Sequence, residues 1–142
     1  YVVETSIGLD RMFLAILSSS FIEENLENES VRTVLKIPPF LAPFKAAILP
    51  LVKKDGLSEF AMKLYDELKS HFNVSYDEKD AVGRRYRRQD AIGTPLCITV
   101  DHDSLKDDMV TVRNRDTMKQ TRVKIKDLKS EIDKLINISN YL

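Results

Sequence analysis

Four prolines crowded into one apolar stretch restrict this chain more than any other feature. Pro38, Pro39, Pro43 and Pro50 punctuate the segment that follows Val34. Each proline removes a backbone donor and clashes with the preceding helical turn, so no long helix can cross this region. The apolar run between them, Ala46-Ala47-Ile48-Leu49, therefore reads as a buried strand. Asp55-Gly56 then opens a helix with Leu57, Phe60, Ala61, Leu64 and Leu68 at helical spacing. Phe72 to Tyr76 alternates as a strand does. A basic helix over Val82 to Ile92 is stopped by Gly93, with Pro95 just beyond. Leu96 to Val100 is strongly β. Met109–Arg113 and Gln120–Lys126 flank a polar bend at 114–117 and predict an antiparallel hairpin. Asp127 can cap a last helix with Leu128, Ile132, Leu135 and Ile136 on one side. The pattern is α/β, a mixed sheet flanked by helices.

Residues 1–33 read differently. Tyr1 to Glu4 predicts a short β-run, Ser6-Ile7-Gly8 a turn, and Leu9 to about Glu24 a helix with a broad apolar face. That width suits packing against something large. Residues 23–33, EENLENESVRT, read as a polar linker or a fraying helix end. The chain starts on Tyr1 rather than Met, which reads as a cut start, and the segment is no signal peptide.

Length and composition narrow the classes. A chain of 142 residues fits one domain, or one domain plus a piece of another, and needs no disulfide or metal staple. With 43% hydrophobic and 31% charged residues it is neither disordered nor fibrous. No apolar run approaches the roughly 20 residues of a membrane span. Cys97 is the single cysteine, which excludes an internal disulfide and permits a reducing, cytosolic setting.

The formal net charge is zero, but the charge is segregated. Residues 82–90 hold four arginines against one aspartate, and residues 111–126 hold six cations against one. Two basic segments suit a polyanion, because each phosphate contact releases counterions. The alternative is a solvated face whose arginines pair with nearby acids. TVRNRDTMKQ (111–120) gathers Arg, Asn, Asp, Thr and Gln at one bend. These side chains hydrogen-bond base edges, although hairpin tips favour Asn, Asp and Thr in any case. In ETSIGLDR (4–11) a strand would put Glu4 and Ser6 on one face, with Arg11 in the first helical turn. An arginine there opposes the helix dipole unless it faces a phosphate; pairing with Asp10 or Glu4 is the alternative. Asp101-His102-Asp103 lacks the glycine and distal glutamate of an EF-hand and reads as a solvated turn. His71 and His102 are isolated, and no residue set predicts a metal site.

ETSIGLDR with the apolar helix after it is similar to motif 3 of the class II aminoacyl-tRNA synthetases. LAPFKAAILPL (41–51), VGRRYRRQDAIGTPLCITVD (82–101) and TVRNRDTMKQTRV (111–123) resemble the anticodon-binding domain shared by the glycyl, histidyl, threonyl and prolyl enzymes. The order and the Glu-x-Ser point to the glycyl-tRNA synthetase family. The resemblance implies residues 1–33 as the end of a catalytic domain plus linker, and 34–142 as the anticodon-binding domain. It implies that Arg11 packs on adenine and reaches the ATP phosphates, and that Glu4 and Ser6 hold the ammonium of glycine. Thr5 stands where the glycyl pattern usually has Pro. It implies anticodon contacts at Arg113, Arg115, Asp116 and Gln120, while Arg84, Arg85, Arg87 and Arg88 follow the RNA backbone or make structural ion pairs. Motifs 1 and 2 are absent, so these 142 residues are expected to bind RNA without catalysing and to need no cofactor. The implied parent is a cytoplasmic, homodimeric, ATP-dependent glycine–tRNA ligase using Mg2+, with no membrane partner. The alternatives are a non-catalytic module of polymerase-accessory type, or another synthetase of the His/Thr/Pro/Gly group.

Overall fold

The computed structural model describes residues 1–26 and 30–141. In chain order the first elements are α1 (Leu9–Ser20), β1 (Phe21–Asn25), β2 (Val31–Leu35), β3 (Ala46–Pro50) and α2 (Leu57–Leu68). They are followed by β4 (Val74–Tyr76), α3 (Val82–Ala91), β5 (Leu96–Val100) and the short α4 (Ser104–Asp107). The last are β6 (Met109–Asn114), β7 (Gln120–Lys124) and α5 (Leu128–Ile136). Five strands make one sheet in the order β4-β3-β5-β6-β7, and β1 pairs with β2 separately. β4, β3 and β5 run parallel, whereas β5, β6 and β7 are antiparallel neighbours. The predicted mixed α/β sheet is therefore present.

β3 and β5 are buried at every position, which explains their unbroken apolar runs. Alternation sends their side chains to two different layers. Ala46, Ile48, Leu96, Ile98 and Val100 join Val110 and Val112 against α2 and α5, through Leu57, Ala61, Leu64, Leu68, Leu128 and Ile132. Each fully buried Val, Leu or Ile side chain of this layer contributes roughly 1.5–3 kcal/mol. The opposite face is thinner: Ala47, Leu49 and Cys97 pack against Tyr86 of α3. Cys97 lies directly across from Arg113 in the β5–β6 register, so this second layer mixes small apolar groups with charge.

The proline-rich segment forms no helix. Leu41 and Ala42 donate to the carbonyls of Pro38 and Pro39. The Lys45 ammonium closes the turn on the Phe40 and Ala42 carbonyls, each at 2.8 Å. Pro50 ends β3, where its missing donor is harmless, since Leu51 resumes the ladder onto the Val100 carbonyl at 2.8 Å.

Several expectations are corrected. Residues 1–8 form no strand, so Glu4 and Ser6 share no strand face. α1 stops at Ser20, where three serines in a row weaken the helix and Phe21 turns extended. The expected helix end and polar linker over 23–33 is instead a β-hairpin, Phe21 opposite Leu35 and Asn25 opposite Val31. Its tip at 27–29, part of the linker expectation, lies outside the described residues. Asp127 occupies the N-cap position of α5, but its side chain makes no capping bond. The Asp101–Asp108 turn contains α4, where Asp101 Oδ1 accepts from the Ser104 amide at 2.9 Å.

Candidate nucleic-acid interface

The β6–β7 hairpin turns on Asn114. Its side-chain oxygen accepts from the amides of Asp116 (2.9 Å) and Thr117 (3.0 Å), a turn asparagine makes by mimicking backbone. Met118 takes a left-handed φ of 56°, and the Asn114 amide closes the loop on the Lys119 carbonyl at 3.0 Å. Asp116, Thr117, Met118, Lys119 and Gln120 are all exposed. Behind the bend, a groove of about 460 Å³ runs between β6–β7 and α5, with Asn114, Thr117, Lys119, Thr121 and Tyr141 among its walls.

Arg113 and Arg115 point the other way, 6% and 2% exposed. The Arg113 fork lies on the Asp90 carboxylate at 2.9 and 3.1 Å, its guanidinium 4.9 Å from the centre of the Tyr86 ring. Arg115 spends every donor locally: Nε and Nη2 on Asp116, Nη1 on the carbonyls of Leu35 and Gly93, Nη2 also on that of Ile37. The bend thus presents Asp116 and Gln120 outward and keeps the two arginines beneath it.

The α3 arginines divide in the same manner. Arg85 is buried, with Nη1 donating to the Pro50 carbonyl at 2.5 Å and Nε to that of Asp80 at 3.0 Å. Arg88 pairs with Asp77 (2.7 Å) and Asp80 (2.8 Å) and holds the Asp80 carboxyl below its ordinary range. Arg87 reaches the Val31 carbonyl at 3.4 Å, and Arg84 is exposed. Arg122 bridges Asp101 and Asp107 at 2.7 and 2.8 Å. Most arginines of the two basic runs therefore serve internal bonds. Lys119, Lys124, Lys126 and Arg84 remain exposed and in no ion pair among the described residues.

Glu4, Ser6 and Arg11 are all exposed, Arg11 on the first turn of α1. Among the described residues no hydrogen bond or ion pair joins the three, and no group of His, Cys, Asp and Glu is placed to hold a metal. Among the described residues no helix is long and apolar enough to cross a membrane.

The sequence did not point to Arg32, Asp90 or Glu24. Arg32 is 1% exposed and Asp90 fully buried; they meet at 2.8 Å, and Arg32 also reaches Glu24 at 2.7 Å. Lys36, 2.5 Å away, is the main cause holding the Glu24 carboxyl below its ordinary range. The one sequence signal was a cation inside a β-prone run, VRTVL (31–35), at a position where alternation sends it inward with Val34.

The anticodon binding domain family matches residues 45–135 of the chain. A glycine–tRNA ligase of Clostridium perfringens is 58% identical over 94% of this chain and 29% of its own length. A glycine–tRNA ligase of Rhodopirellula baltica is 55% identical over 98% of this chain and 27% of its own. The chain thus spans under a third of these curated relatives. Among solved structures, prolyl-tRNA synthetase from Cryptosporidium parvum, complexed with L-proline and AMP, superposes with a TM-score of 0.65 and 26% identity. That match covers 72% of this chain and 22% of the synthetase.

Proposed function

This chain belongs to the anticodon-binding domain family, and from that premise we propose that it is the tRNA-reading end of a glycine–tRNA ligase. One observation carries the reading: more than half of the residues are identical to glycine–tRNA ligases along nearly the whole chain. In this reading the parent joins glycine to its tRNA with ATP and Mg2+, as a homodimer in the cytoplasm. Residues 34–142 are the anticodon-binding domain and residues 1–33 close the catalytic domain. Arg11 contacts ATP, and Glu4 and Ser6 hold the glycine ammonium. These three side chains are exposed among the described residues, and in this reading further residues of the parent complete that pocket.

The bend is the RNA-reading edge. Asp116 accepts from an exocyclic amino group, Gln120 offers both a donor and an acceptor, and Lys119 meets phosphate. Arg113 and Arg115, their forks already engaged, take part from beneath by fixing the bend. Arg84 and Arg87 track the RNA backbone, whereas Arg85 and Arg88 hold the fold.

Titrating the chain with tRNA anticodon stem-loops that differ only in the anticodon tests this. A glycine anticodon should bind about tenfold or more tighter than swapped ones, the worth of one good base contact. Gln120→Ala should narrow that gap, while Arg84→Gln weakens all RNAs alike and flattens the salt dependence. Equal binding of every anticodon by the unaltered chain would sink the reading.

A further inference from the structure

We propose that the β1–β2 hairpin is a positioning element of the β6–β7 bend, acting through Arg32, Asp90 and Arg115; this rests on the bend being the RNA-reading edge. Asp90, in the last turn of α3, has no exposure. One carboxylate takes Arg32 Nε on Oδ2 at 2.8 Å and the Arg113 fork on both oxygens. Two guanidinium groups on one carboxylate leave an excess positive charge in a buried site. Glu24 of β1, which also pairs with Lys36, offsets part of it by accepting Arg32 Nη1 at 2.7 Å.

The third donor of Arg32 sets the geometry. Nη2 donates to the main-chain carbonyl of Arg115 at 2.5 Å, the residue that begins the bend. The side chain of Arg115 returns to the carbonyls of Leu35 and Ile37, at and just past the end of β2, at 3.1 and 2.9 Å. Residue 115 is thus gripped by the hairpin at its backbone and at its fork. It cannot shift against β2 without breaking bonds in a buried, charged cluster. Asp116, next in sequence, is bonded to the Arg115 fork, so the grip extends to a side chain offered to RNA.

Burial of charge is a poor route to stability alone, because packed apolar residues of similar volume usually serve as well. What the ionic cluster adds is direction: planar forks accept only one arrangement of carbonyls and carboxylates. The bend therefore keeps its position only while the hairpin keeps its own, and by linkage RNA held at the bend steadies the hairpin in return.

Arg32→Lys tests this in the full 142-residue chain. It retains a charge for Asp90 or Glu24, but one ammonium cannot also span to the Arg115 carbonyl. Native-state hydrogen exchange at the Asp116 and Thr117 amides should quicken about tenfold. Affinity for the glycine-anticodon stem-loop should fall about tenfold while urea unfolding stays cooperative. With the unaltered chain, adding that stem-loop should slow exchange at residues 31–35. If Arg32→Lys fails to fold, Glu24→Gln leaves the Asp90 pairs intact and should shift the same amides by a smaller factor. Unchanged exchange at 116 and 117 in a folded variant overturns the proposal, whatever the loss in overall stability. If the unaltered chain binds no stem-loop, the anticodon reading fails, and the exchange at the bend still decides the coupling.

Discussion

Gly93 carries a φ of +84°, and its carbonyl receives Arg115 Nη1 at 2.8 Å. A β-carbon there would lie 3.0 and 3.1 Å from Ile37 and 3.1 Å from the Leu35 carbonyl. Gly56 has a similar φ of +77°, but a β-carbon there meets nothing within 4 Å. Gly56→Ala should therefore destabilise by about 1 kcal/mol, from left-handed backbone alone. Gly93→Ala should cost about 2–3 kcal/mol, since it also pushes β2 away from the bend. Urea unfolding of the two variants checks the difference, and equal losses would show that the approach of Leu35 and Ile37 to Gly93 is unimportant.

At the scale of elements, periodicity identified the elements whose inward face is apolar and missed the pair whose inward face carries charge. β3 and β5 announce themselves because both faces are covered; α2 and α3 do so by helical spacing and a glycine stop. The β1–β2 hairpin stayed hidden because its inward residues include Glu24 and Arg32, whose partners lie far along the sequence. Charge at those positions resembles a linker until the fold supplies Asp90. For the same reason the arginines of the bend looked outward in sequence, when Asp90 and three backbone carbonyls draw them in. The exposed members, Asp116 and Gln120, were legible because polar residues at a turn have nowhere else to go. α1 presents the reverse case: Leu9, Phe13 and Leu14 are 63–79% exposed, so its apolar face adds little to the stability of this chain. Phe13→Lys should change unfolding stability by less than about 0.5 kcal/mol. It should also lower any concentration-dependent self-association seen by analytical ultracentrifugation. A large loss of stability would mean that Phe13 is packed in solution.

For the whole molecule, the acids are tied to bases over much of the surface, and that sets its response to pH. Lys36 holds Glu24 below the ordinary carboxylate range; Arg88 does so for Asp80 and Arg122 for Asp107. A carboxyl whose folded pKa is lowered stabilises the fold above its unfolded value, and that contribution is lost as pH falls through the folded one. Urea midpoints should thus hold near neutrality and drop below about pH 4; Arg122→Gln should shallow the drop. On the alkaline side, burial pushes the Cys97 thiol and the Tyr76 hydroxyl up to about 12. Both then stay protonated in the fold while the unfolded chain ionises from about pH 8.5 upward. Stability should fall across that window, and Cys97→Ala should flatten its lower end. A midpoint independent of pH from 8 to 11 would contradict this.

Arg32 lies 58 residues before Asp90 and 83 before Arg115, a separation with a consequence in time. During synthesis the β1–β2 pair emerges before α3 and the bend, and two strands alone are marginal in water. Its inward cation must wait for α3 and then for the start of the β6–β7 bend before it can be neutralised and enclosed. The order of manufacture and the order of completion are therefore inverted: a strand pair made before its partners is among the last parts to be locked, and until residue 115 has been added it remains unsecured.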